Sequence, residues 1–101
     1  MEERIWHRSY APCVPRSLDY EEVTISQALS RSAGNFPRKV ALNYMGRKIT
    51  YGELEGLVNR FARALAGLGV REGDKVAVCL PNIPQVVIAN LAVFRIGAVT
   101  V

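Results

Sequence analysis

Apolar residues recur at helical spacing most regularly between residues 54 and 68. Spacings of 3, 1, 3, 4 and 3 residues place the following side chains on one face of a helix: Leu54, Leu57, Val58, Phe61, Leu65 and Leu68. Thr50 and Glu53 form the Thr-x-x-Glu pattern that caps the start of a helix. The pattern therefore predicts an amphipathic helix that begins next to Thr50 and is ended by Gly67 and Gly69.

A second capping pattern lies upstream, where Thr24 precedes Gln27 by three residues. Apolar residues then follow at helical spacing, and Gly34 can adopt the left-handed conformation that ends a helix. We expect a short helix at about residues 25–33.

Two strand-like runs follow, at residues 39–44 and 47–50. The two residues between them, Met45 and Gly46, predict a β-hairpin because glycine tolerates a positive φ. Methionine is a weak turn former, so the register of the hairpin stays open at this point.

The last third of the chain predicts a strand, a helix and a second strand. Residues 75–80 are apolar and rich in β-branched side chains, as is typical of a buried parallel strand. Asn82 can cap the next helix, with Pro84 in its first turn, and Gly97 ends it. The result is a βαβ unit with a right-handed crossover, and the fold class is α/β. Cys79, inside the first strand, is expected to be a buried, inert thiol.

Residues 1–23 show neither a helical nor an alternating period. We expect an extended arm anchored on the rest of the protein by Trp6 and Tyr10, whose rings can pack while their polar ends stay wet.

Composition excludes several classes of protein. The chain has 101 residues, of which 50% are hydrophobic, and a formal charge of +4, so neither a disordered nor a multidomain chain fits. Basic residues are spread along the sequence among acidic ones, which argues against a nucleic-acid binder. Cys13, Cys79 and the single histidine, His7, do not form a metal motif. A secretory leader and an apolar stretch of membrane-spanning length are absent from the sequence, so a cytoplasmic location is expected.

Candidate catalytic motifs are weak. The chain contains neither a Walker-type phosphate loop nor a nucleophile elbow, and its glycine-rich segment at residues 67–73 follows a helix rather than a strand. Glu53, Glu55 and Asp74 are placed to cap or to complement helices and turns. Arg95 could bind an anion or face the negative end of a helix. We therefore assign no catalytic, cofactor-binding or metal-binding residue.

Five segments taken in order resemble the amino-terminal portion of the adenylate-forming acyl-CoA synthetases, the AMP-binding enzymes. They are NFPRKVAL (35–42), ITYGEL (49–54), LGVREGDKVAV (68–78), LPNIPQ (80–85) and FRIGAV (94–99). The arm is similar to that of the long-chain fatty acid branch. The resemblance implies that residues 24–101 are the first part of a large adenylation domain, with a larger mixed or parallel sheet and flanking helices, and that the chain is the front of a longer protein.

The resemblance also implies a two-step activity for that longer protein. A fatty acid would be activated by ATP and Mg²⁺ as an acyl-adenylate and then transferred to coenzyme A. The family's catalytic motifs have no counterpart in these residues, so the 101-residue piece is expected to be inactive and to bind no cofactor. The partners implied are a carboxylic acid, ATP, CoA and the rest of the chain, with a homo-oligomer possible in principle and no nucleic acid. Two alternatives are a branch that uses aryl or amino acids and a non-catalytic interaction or structural module.

Overall fold

The computed structural model describes residues 2–101. A 3₁₀ helix, Ile5–Ser9, lies in the amino-terminal arm. The remaining elements, in chain order, are α1 (Ile25–Asn35), β1 (Val40–Tyr44), β2 (Arg47–Thr50), α2 (Tyr51–Gly67), β3 (Lys75–Val76), α3 (Pro84–Arg95) and β4 (Val99–Thr100). The predicted order of a helix, a hairpin, a long helix and a βαβ unit is confirmed.

Both predicted capping boxes are present. The backbone N–H of Gln27 donates to the Thr24 hydroxyl over 3.0 Å, and the N–H of Thr24 donates to the Gln27 side chain over 2.9 Å. Thr50 and Glu53 make the same reciprocal pair, with distances of 3.2 and 3.1 Å. These bonds satisfy N–H groups that have no partner inside the helix, which is why α1 and α2 begin where the sequence predicts. The prediction for the end of α1 was short, because the helix continues past Gly34 to Asn35.

The hairpin has the two-residue loop that the sequence predicts. Tyr44 pairs with Arg47 in an antiparallel ladder, and a register shift lies between Val40 and Leu42. Met45 and Gly46 both have positive φ values, 50° and 88°. Positive φ at both loop positions matches the type I′ turn, whose twist suits the strands that it joins.

Strands β3 and β4 are parallel and are joined through α3, which confirms the βαβ unit. Backbone hydrogen bonds extend this ladder as far as Val78 and Val101, whose N–H to O distance is 3.1 Å. The expected strand at residues 75–80 was therefore too long, and Cys79 is exposed rather than buried. The apolar sequence of residues 75–80 resembles that of a central strand, but in the described chain β3 has a partner strand on one side only.

The start of α3 differs from the prediction at its cap. Ile83, not Asn82, is the N-cap residue, and no side chain caps the helix there. Pro84 occupies the first helical position, where its missing N–H removes nothing from the helix. At the other end Gly97 has a φ of 76°, in agreement with its predicted role in ending the helix.

The core lies where α2 and α3 cross and where α1 and the hairpin close against α2. Val58 of α2 and Val93 of α3 are its largest fully buried side chains. The other buried members of the cluster are Leu29, Ile49, Leu54, Ala62, Leu65, Ala92 and Ala98. Not all of the predicted apolar stripe is buried, since Phe61 is 39% exposed and Leu68 is 82% exposed.

The two aromatic residues predicted to anchor the arm are about half-exposed, and the contacts of His7 lie within the arm itself. Trp6 and Tyr10 are 54% and 40% exposed, whereas His7 between them is only 6% exposed. The His7 Nδ1 accepts a hydrogen bond of 3.0 Å from the backbone N–H of Arg4, which starts the short helix. Farther along, the Arg31 guanidinium of α1 donates two 2.8 Å hydrogen bonds to Glu21 and fixes the end of the arm.

Candidate functional site

Arg95, at the end of α3, is the centre of the main polar cluster within residues 2–101. Its Nε donates to the Ser26 hydroxyl over 2.8 Å, and its Nη1 donates to the Asn59 amide oxygen over 2.7 Å. Its Nη2 lies 3.1 Å from the Ser26 carbonyl and 3.0 Å from the Ser30 hydroxyl. The guanidinium therefore joins α1, α2 and α3.

The counter-ion of Arg95 is Glu55 of α2. Nη2 donates a hydrogen bond of 3.0 Å to the Glu55 Oε2, and Nη1 lies 2.9 Å from Oε1 as an ion-pair contact, so the hydrogen bond is strengthened by the opposite charges. The Arg95 and Glu55 side chains are only 15% and 23% exposed. Because the donors of Arg95 are already engaged, this arginine holds the fold together and offers no open anion site.

The other acidic residues considered in the sequence also have structural partners. Glu53 caps α2, and the Asp74 carboxylate accepts a 2.8 Å hydrogen bond from the backbone N–H of Arg71 in the turn before β3. Both carboxylates accept backbone hydrogen bonds, which is the structural role predicted for them from their positions.

An open apolar groove of about 410 Å³ separates the hairpin from the start of α3. The apolar groove is lined mainly by the apolar and aromatic side chains of Tyr44, Ile49, Leu57, Ile83, Pro84 and Ile88. A neighbouring depression of about 310 Å³ shares Tyr44, Ile83 and Pro84 with it. Among the described residues, Arg47 is the one charged residue that lines the groove.

A strip of four basic side chains adjoins the apolar groove. Arg47 and Lys48 of β2 share one depression with Arg60 of α2, and Arg60 shares the next with Arg63. We call Arg47, Lys48, Arg60 and Arg63 the cationic strip. The distribution of charges along the sequence did not predict this cluster, because the hairpin and α2 bring together residues that are more than ten positions apart. The adjacent pair Arg47–Lys48 and the helical spacing of Arg60 and Arg63 were its only sequence signals.

Residues 2–101 contain no group of three or more His, Cys, Asp or Glu side chains arranged to hold a metal ion. Among the same residues, every helix is too short or too polar to cross a membrane.

The family model of the AMP-binding enzymes matches residues 29–101. Over 99 residues, the chain is 33% identical to a long-chain-fatty-acid–CoA ligase of Bacillus subtilis, covering 98% of this chain and 18% of that protein. It is also 47% identical over 77 residues to an acetyl-coenzyme A synthetase of Phycomyces blakesleeanus, covering 70% of this chain and 12% of that protein. The chain belongs to the AMP-binding enzyme family, as the five sequence segments predict.

Solved structures agree with this assignment. The N-terminal subdomain of Klebsiella oxytoca NpsA in complex with 3-hydroxybenzoyl-AMSN superposes with a TM-score of 0.76 at 35% identity, over 77% of this chain and 20% of that one. An o-succinylbenzoate CoA synthetase of Bacillus subtilis superposes with a TM-score of 0.70 at 35% identity, over 71% and 15%. The predicted fold class is confirmed, since the α/β unit corresponds to part of an adenylation subdomain. The chain spans about a fifth or less of the length of these relatives.

Proposed function

We propose that these residues form the first section of an ATP-dependent acid–thiol ligase that activates a fatty acid. The observation that carries the proposal is the match of the family model across residues 29–101, on a fold similar to an adenylation subdomain. In the proposed reaction a carboxylate oxygen attacks the α-phosphorus of ATP, so that an acyl-adenylate forms and pyrophosphate leaves. The sulfur of coenzyme A then attacks the acyl carbonyl, a thioester forms and AMP leaves.

In this proposal the described residues act as scaffold. Residues 24–101 would begin the large adenylation domain, and residues 1–23 would be the arm that precedes it. The family's catalytic motifs have no counterpart in this sequence, so we assign ATP, Mg²⁺ and CoA binding to other parts of the ligase and expect the 101-residue piece to be inactive. A cytoplasmic location, where ATP and CoA are present, is part of the same proposal.

The choice of a fatty acid as substrate is supported by the length of one alignment. The match with the Bacillus long-chain ligase covers 98% of the chain and therefore includes the arm. Two observations favour a different acid. The shorter alignments with acetyl-CoA synthetases reach 51% identity, and one from Shewanella baltica covers 93% of the chain at 35%. The solved structure of NpsA carries an aryl ligand.

The test of the ligase proposal is exchange of labelled pyrophosphate into ATP by the full-length protein. Hexadecanoate, acetate and benzoate are compared at equal concentrations, with no added acid as the control. Exchange with hexadecanoate well above the other two supports the proposal. Exchange with acetate or benzoate alone would overturn the choice of a fatty acid as substrate but support the ligase activity. No exchange with any of the three acids would favour a non-catalytic module.

The proposed larger size has a separate test. The intact mass of the native protein should exceed the 11.2 kDa of this chain several-fold. A native, stable monomer of 11.2 kDa would overturn the proposal that these residues belong to a complete ligase.

A further inference from the structure

We draw no further inference here: the strongest candidate, the apolar groove between the hairpin and the start of α3 with the cationic strip beside it, carries nothing, because the chain spans about a fifth or less of the length of its relatives and nothing in the structure shows what covers this face.

Discussion

The Arg95→Ala variant should lose about 2–3 kcal/mol of unfolding free energy. The substitution removes every hydrogen bond that ties the end of α3 to Ser26 of α1 and to Asn59 of α2. It also leaves Glu55, whose side chain is 23% exposed, without its cation. Breaking a buried pair costs about 3–5 kcal/mol, and a fully exposed pair is worth about 0–1 kcal/mol. The partial exposure of this pair places the expected loss between those limits.

The assay is equilibrium unfolding in urea, followed by far-ultraviolet circular dichroism. With a slope of about 1.2 kcal/mol per molar, typical of a small protein, the midpoint should fall by roughly 2 M. Arg95→Lys is the graded variant: it keeps the charge but not the planar fork, so it should lose about half as much.

A double-mutant cycle with Glu55→Ala isolates the ion pair from the other contacts of Arg95. We expect a coupling energy of about 1 kcal/mol or more between the two residues, because their distances are 2.9 and 3.0 Å and both are mostly buried. A coupling below about 0.3 kcal/mol, or an Arg95→Ala variant within about 0.5 kcal/mol of the unchanged protein, would refute the reasoning.

Three further substitutions test the core, a cap and a turn by the same urea assay. Val58→Ala should cost about 2 kcal/mol because this valine is fully buried between helices, and a loss under about 0.5 kcal/mol would mean that the site collapses around alanine. Thr50→Ala should cost about 1 kcal/mol by removing the hydroxyl that caps α2, whereas Thr50→Ser, which keeps an acceptor, should cost less. Gly97→Ala should cost about 1–2 kcal/mol, since φ is 76° and the new Cβ would lie 3.0 Å from the Glu72 Cγ. The matched control is Gly56→Ala inside α2, where nothing lies within 4 Å of the new Cβ. This control should raise the unfolding free energy by about 0.5–1 kcal/mol. Equal effects of Gly97→Ala and Gly56→Ala would contradict the argument from the backbone conformation of Gly97.

The parts of the fold that the sequence predicted are those fixed by short-range chemistry. Both capping boxes join residues three positions apart, and the hairpin depends on a two-residue loop. The helix of the βαβ unit, α3, is bounded by Pro84 and Gly97, whose backbone constraints can be recognised without any knowledge of the surroundings.

The features that the sequence did not predict depend on contacts between distant segments. Arg95 and Glu55 are 40 residues apart, so nothing local marks them as a pair. Cys79 has the sequence environment of a central strand, but its exposure is decided by whether another strand lies beside β3. Asn82 is chemically a better cap than Ile83, yet the chain enters α3 with Ile83 at that position. For the candidate surface, the sequence contained each cation of the strip but not their assembly by the hairpin and α2.

Arg95 contacts residues that are far from it along the chain, and this separation should affect the rates of folding and unfolding differently. Ser26 and Arg95 are 69 residues apart, so their hydrogen bond closes a long loop, whereas the caps and the hairpin close short ones. The entropy lost on closing a loop grows with its length, so the local elements and the α2–α3 core should form before this bond does. Arg95→Ala should then leave the folding rate nearly unchanged and raise the unfolding rate tens of fold in stopped-flow experiments. The cluster around Arg95 would thus determine how long the folded state lasts rather than how quickly it is reached.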